Sequence, residues 1–454
     1  MEYMRLSNVE YENIKGTNHA ELNLNTSFVS LDRANIIGIY GANGSGKTSY
    51  VNVMSFLQQL LRGDGIAENA DDLISSNESY GRIQFEWVAV VNEEEYLLKY
   101  SIKVVREAGQ NGNVDSLAIA EEHLQYKEHV KGKRFKTLVL YNQDQLVVGR
   151  LQVNRDLSNK RLTLDSGKFD ALIVSRMINE KKVSFIFHNE IFALCEQNMS
   201  LELFGIYKLL AKKFMTDFMV LDSTQSGYVL ANLLMPFTFQ FSNKRGSIPY
   251  DLSRPTVLSN EAYQTITEVI EQINIVLDKI IPHMQIEVRK INDETLDDGR
   301  LGVRFELLSD RGEVKLPLRN ESAGVLKIIG MLSALIAVYS NPNACIVIDE
   351  FDSGVFEYLL GELLEVIESS GRGQLIFTSH NLRVLEVLDK RSLRFTTTNS
   401  NERFTKLKGV TKFSNARDIY LRSVQLNDSD VELYEDMSSY TIKKAFRKAG
   451  RYHG

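Results

Sequence analysis

Apolar and polar positions alternate over much of the first 150 residues. In RIQFEWVAVV and EYLLKYSIKVV, residues 82–91 and 95–105, nearly every second side chain is aliphatic or aromatic, and a polar NEE stands between the two runs. A period of two marks a strand with one buried face, so the pair predicts a hairpin. HLQYKEHV (123–130) and FKTLVLYN (135–142) continue the pattern and extend an antiparallel β-subdomain to about residue 155. NIIGIY (35–40) is different, apolar without alternation, as a strand buried on both faces would be. Residues 64–82 are polar and are expected to form a mobile surface segment. The stretch 168–283 is expected to be mostly helical. Its clearest helix is SNEAYQTITEVIEQINIVLDKII, with Ser259 or Asn260 as N-cap. SNKRGSIPYDLSRP (242–255), with two of the six prolines, is expected to be a loop. Strand patterns return at MQIEVRKI and LGVRFELL. After residue 320 helices and strands alternate, which predicts a parallel sheet. The fold class is therefore α/β.

Chemistry attaches to the ends of these elements. NIIGIY runs into Gly41-Ala42-Asn43-Gly44-Ser45-Gly46-Lys47-Thr48, a complete G-x-x-x-x-G-K-[ST], and TSYVNVMSFLQQLL follows with helical character. Glycines permit a tight loop whose N–H groups turn toward phosphates, and the helix N-terminus adds a favourable dipole. Lys47 is expected to reach the β- and γ-phosphates of ATP and Thr48 to ligate Mg²⁺. ACIVIDE (344–350) is a buried strand ending in two carboxylates. Asp349 then suits a Mg²⁺ ligand acting through water, and Glu350 a general base for the attacking water. GQLIFTSHNL (373–382) ends a further strand at His380, positioned to sense a γ-phosphate. Upstream, Ser322-Ala323-Gly324 opens a helix in RNESAGVLKIIGMLSAL (319–335), where a hydroxyl and free N–H groups would meet an anion.

Composition narrows the setting. The net charge of −6 argues against a wholesale basic nucleic-acid binder, leaving one dense basic cluster at Lys443, Lys444, Arg447, Lys448 and Arg451. Cys195 and Cys345 are the only cysteines, which excludes a disulfide framework or a cysteine-based zinc site and suits a reducing compartment. The charged, alternating N-terminus does not look like a signal peptide, and no run approaches 18 apolar residues. A cytoplasmic protein without a membrane partner is expected.

Phosphate loop, β-subdomain, helical insert, signature-like helix, DE strand and histidine occur in the order seen in ABC-type ATPases. The chain resembles the soluble ABC-type AAA family ATPases grouped with RecF and the overcoming-lysogenization-defect proteins. That resemblance is specific over residues 1–60 and 315–400 and topological between them. It implies a P-loop NTPase head with an antiparallel β-subdomain and an inserted helical region. The corresponding divisions are an N-terminal ATPase lobe (1–155), a mostly helical insert (156–290), a C-terminal lobe (291–400) and an extension with a basic tail (401–454). It also implies that Ser322 and Gly324 complete the site of an opposing subunit, although ESAGV departs from LSGGQ in all but the Ser and the second Gly.

The run DEFDSGVFEYLLGELLEVI and the closing KKAFRKAGR resemble a subgroup common in bacterial anti-phage systems. Implied partners are further copies of the chain, a separate effector of nuclease type and a phage-encoded trigger, with nucleic acid as the alternative. Sustained heptads are absent from the middle of the chain, so the long arms of SMC proteins are not expected. The segment after His380 is too short for an appended nuclease domain of the overcoming-lysogenization-defect type.

Overall fold

The computed structural model describes residues 2–66, 70–107, 116–142, 145–149, 151–156, 161–164, 182–222, 234–241, 244–296, 298–406, 416–426 and 439–450. Two sheets organise them. The first has nine strands and is a meander, in which the strands from Tyr80 to Leu164 lie side by side in chain order. The hairpin of Tyr3–Ile14 and Thr17–Asn23 closes it, with Tyr3–Ile14 paired to Tyr80–Val91. The predicted hairpin is present as Tyr80–Val91 and Glu94–Glu107, turning at Asn92 and Glu93 with φ of 51° and 69°. Positive φ at both turn residues matches the right-handed twist of the flanking strands.

The second sheet has six strands in the order Phe218–Leu221, Cys345–Ile348, Gln374–Ser379, Asn35–Tyr40, Leu393–Thr396, Phe404–Thr405, all parallel except the last. It is the wall between two cores. Ile37, Ile39, Val347 and Ile376 face one side, where Lys47–Arg62 packs under the meander. Ile36, Tyr40, Ile346, Ile348, Leu375 and Phe377 face the other, covered by Asn260–Ile280, Ala323–Ser340 and Glu357–Ser370. Strands buried on both faces need no polar alternation, which is why CIVI is apolar throughout and NIIGIY is apolar after Asn35.

At the N-terminal edge of this sheet the buried Arg5 guanidinium donates to the carbonyls of Arg33 (2.6 Å), Pro342 (3.1 Å) and Arg372. These precede three neighbouring strands. Burial lowers the pKa of Arg5 to about 10. One side chain thus sews the first strand of the meander to the base of the parallel sheet.

Several expectations need correction. The region 168–283 does hold helices Asn189–Asn198, Leu201–Lys208 and Asn260–Ile280, the last capped by Ser259, whose Oγ accepts from Ala262 N–H. It also contributes the strand Phe218–Leu221 to the parallel sheet. The expected proline loop is half of a hairpin, since Lys244–Asp251 pairs with Leu234–Phe241 and places Pro249 opposite Pro236. In a two-stranded ribbon alternate N–H groups point away from the partner, so proline can be accommodated. Within 64–82, Leu73 and Ile74 are buried, and Ile74 bridges to Ile14. Finally, among the described residues one helix, Ala323–Ser340, is long and apolar enough to cross a membrane by length and composition. Here it is a core helix, with Leu326, Ile329, Leu332, Leu335 and Val338 buried in the second core.

Candidate functional site

The C-terminal ends of parallel strands share one edge, the place where open α/β sheets present ligand sites. Asn35–Tyr40 delivers Gly41 to Thr48 there, Cys345–Ile348 delivers Asp349 and Glu350, and Gln374–Ser379 delivers His380. The structure therefore brings the eight loop positions 41–48 to the same edge as Asp349, Glu350 and His380, which lie more than 300 residues further along the chain.

The loop is shaped by exclusion. A Cβ on Gly41 would stand 1.8 Å from Thr396 Oγ1, and one on Gly46 would stand 3.3 Å from Arg403 Cδ. Gly44 and Gly46 have φ of +78° and +94°, values that glycine reaches without cost. Ser45 is buried, its Oγ 2.6 Å from the Ala42 carbonyl and 2.5 Å from Thr396 Oγ1. Asn43, Gly44 and Thr48 are exposed. Gly46 is the N-cap of Lys47–Arg62 and supplies no side-chain cap, so the first N–H groups of the helix remain open to an anion. Lys47 is buried. Its ammonium donates to the carbonyls of Gly41 (2.7 Å) and Ala42 (2.8 Å). Burial lowers its pKa to about 8, against the opposing pull of Asp349, Asp352 and Glu350.

Asp349 is 1% exposed. One carboxylate oxygen accepts from Thr378 Oγ1 at 2.6 Å, and among the described residues the other has no hydrogen-bond partner. Burial raises its pKa, with repulsion from Glu350 in the same direction. A buried carboxylate oxygen without a partner near a phosphate loop has the chemistry to hold Mg²⁺, and Asp349 and the exposed Thr48 are the residues that would hold it. Glu350 is exposed and has φ of +49°. Its N–H donates to Thr378 Oγ1 at 2.7 Å, and its carbonyl accepts from the Lys327 ammonium. His380 is held through its backbone N–H, which donates to Asp352 Oδ2 at 3.1 Å. Burial and the nearby charge of Lys47 lower the pKa of its ring, favouring the neutral imidazole.

Ser322 and Gly324 lie at the start of Ala323–Ser340. Ser322 is exposed and caps the helix, accepting from Val325 N–H at 3.4 Å. A Cβ on Gly324 would meet the Gly354 carbonyl at 2.2 Å, so this glycine is required by the fold of its own chain. Sequence reasoning missed Thr378 as a joint anchor of Asp349 and Glu350, Asp352 beneath His380, Lys327, and the pair Thr396 and Arg403 behind the loop. Asp352 was visible in the quartet DEFD. The others are ordinary residues whose neighbours lie far along the chain. In the basic cluster, Lys443, Lys444, Arg447 and Lys448 are exposed on the helix Ser439–Ala449, and Arg451 lies outside the described residues.

Residues 221–386 match a family described as an AAA domain, putative AbiEii toxin, type IV TA system. The fold is α/β, a mostly parallel six-stranded sheet carrying the G-x-x-x-x-G-K-[ST] loop beside a nine-stranded antiparallel sheet. A comparison with curated proteins finds no match. Among solved structures, an SMC head bound to the C-terminal winged-helix domain of ScpA is similar at 13% identity and a TM-score of 0.44, covering 89% of this chain and 98% of that one. The SMC head domain from Thermotoga maritima aligns at 14% identity and a TM-score of 0.36, over 89% of this chain and 99% of that one. The recombination mediator protein RecF with ATP aligns at 12% and 0.32, over 84% and 94%. These likenesses are too loose to carry residue roles or partners.

Proposed function

We propose that this ABC-type head binds and hydrolyses ATP. The observation that carries the proposal is the open oxygen of buried Asp349 on the same sheet edge as an uncapped, glycine-shaped phosphate loop. Lys47 leaves the Gly41 and Ala42 carbonyls to bind the β- and γ-phosphates. Thr48 and Asp349 would hold Mg²⁺, which would neutralise phosphate charge. Glu350, exposed at the edge, takes a proton from the attacking water, and neutral His380 offers a hydrogen bond where the γ-phosphate would lie. Ser322, exposed on a helix start and bonded only within that helix among its known contacts, is suited to the nucleotide of a second copy. An ATP-closed dimer or larger homo-oligomer follows.

The wider role is an ATP-dependent scaffold or sensor of an anti-phage defence system, one that holds a separate nuclease-type effector until a phage product is sensed. The subgroup resemblance of DEFDSGVFEYLLGELLEVI, with the ATPase subunit of the PARIS system as its model, supports this. So does the match of residues 221–386 to the family described as an AAA domain, putative AbiEii toxin, type IV TA system. The test is affinity purification of the Glu350→Gln chain from its native locus with ATP. Co-elution of a stoichiometric nuclease-like protein is expected. Recovery of bare oligomer with DNA would overturn it in favour of a RecF-like DNA-binding ATPase. That second reading is favoured by the exposed basic helix Ser439–Ala449 and predicts DNA binding that weakens steeply with salt.

A further inference from the structure

The helix Ala323–Ser340 reaches the catalytic edge at two points that ATP hydrolysis, as proposed above, does not itself require. In its first turn Gly324 packs against Gly354, which has φ of +74°. One turn on, the side chain of Lys327 runs inward, 5% exposed, and its ammonium donates to the backbone carbonyl of Glu350. The N–H of Glu350 is taken by the Thr378 hydroxyl, and its carbonyl accepts twice, from the Ser353 N–H that closes the turn (3.0 Å) and from Lys327 on another element. Glu350 meanwhile keeps φ at +49°. An L-residue holds that conformation only where its surroundings over-determine it.

Packing alone gives no reason for a lysine here. Burial disfavours its charge, and the charges of Asp352, Glu350 and Asp349 work in the other direction. A methionine would occupy similar space without that desolvation. What an ammonium adds to the Ser353 N–H is a second donor to one carbonyl, reaching from the helix to the residue expected to activate water.

We propose that Lys327 is a positioning residue: by holding the Glu350 carbonyl it fixes the turn that presents the Glu350 carboxylate, and it ties that turn to the helix whose exposed start carries Ser322. The catalytic consequence rests on the hydrolysis reading, but the anchoring itself does not. Because Gly324 and Lys327 share one helix, a partner that engages Ser322 would carry the loop 349–354 with it.

The test compares the full-length chain with its Lys327→Met, Lys327→Arg and Glu350→Gln variants. Hydrogen exchange of peptides spanning 349–354 is expected to quicken about tenfold in Lys327→Met and to stay near wild type in Lys327→Arg, because the opening is local. ATP affinity should remain within about threefold, while single-turnover hydrolysis falls about 10- to 100-fold in Lys327→Met and recovers in Lys327→Arg, as expected for a misplaced catalytic group. Wild-type exchange and turnover in Lys327→Met would overturn the proposal. A parallel loss of ATP affinity and rate that Lys327→Arg does not rescue would reduce Lys327 to a structural residue. If Lys327→Met fails to fold, Lys327→Gln takes its place under the same criteria. If wild type does not hydrolyse ATP and Glu350→Gln changes nothing, the hydrolysis reading falls alone, and the exchange comparison still decides whether Lys327 holds the loop.

Discussion

Each of the two sheets has a buried carboxylate, and the two are treated in opposite ways. In the meander, Glu122 is fully buried and accepts from Tyr100 OH (2.5 Å), Ser184 Oγ (2.6 Å) and Phe185 N–H (2.6 Å), so both its oxygens are occupied. At the edge of the parallel sheet, the side chain of Asp349 accepts from Thr378, and among the described residues its other oxygen has no hydrogen-bond partner. The first arrangement fastens the segment after residue 182 onto the inner face of the meander. The second leaves a polar group short of partners where a ligand can complete it. Native structures tolerate an unsatisfied buried group chiefly where something else gains from it.

The comparison breaks first if the parallel edge does not bind nucleotide. Lys47→Ala should abolish ATP binding in a titration calorimeter while the circular dichroism spectrum is kept, and tight binding by that variant would contradict the phosphate-loop assignment. Next, Glu350→Gln should slow hydrolysis by about 10²- to 10⁴-fold and still bind ATP, with the oligomer stabilised on a sizing column. Normal turnover would move the base elsewhere.

Lys47 then predicts a pH dependence. Its pKa in the free protein is about 8, and phosphates would restore its charge. The bound state therefore holds more protons, and ATP affinity should fall about tenfold per pH unit above that value. Proton uptake on binding near pH 8, measured in buffers of different ionisation enthalpy, checks the sign. Glu122→Gln sharpens the contrast from the other side. Its amide would face donors with a donor, costing about 1–3 kcal/mol of stability in urea unfolding, with ATP affinity unchanged. The smallest effect on stability is expected from Ser322→Ala, about 1 kcal/mol for a lost cap. Turnover should drop without weaker binding to the monomer, and unchanged turnover would leave Ser322 as a cap only.

The meander was legible in the sequence because each of its strands has one apolar face and a near neighbour. RIQFEWVAVV shows a period that no helix would keep. The phosphate loop and the DE strand were legible because their chemistry is compressed into a few consecutive residues. Phe218–Leu221 was not, since a four-residue strand buried on both faces and following a helix has no period to read. Leu393–Thr396 was hidden for the same reason, and with it Thr396, which backs Ser45. Lys327 is the lone charged residue of an otherwise largely apolar helix and belongs to no period or motif. Only the fold reveals that it points inward, at a carbonyl more than one element away.

Arg5 and its three carbonyls carry a consequence for how the chain comes into being. Asn35–Tyr40 lies between Gln374–Ser379 and Leu393–Thr396, and two of the three acceptors of Arg5 belong to residues 342 and 372. On a ribosome adding 5–20 residues per second, the strand that feeds the phosphate loop waits roughly 17–70 s for either neighbour. Throughout that interval the nascent protein bears an apolar ribbon with two bare edges. Its birth is the moment of greatest exposure to aggregation, and holdase chaperones should be found on translating polysomes rather than on the finished molecule.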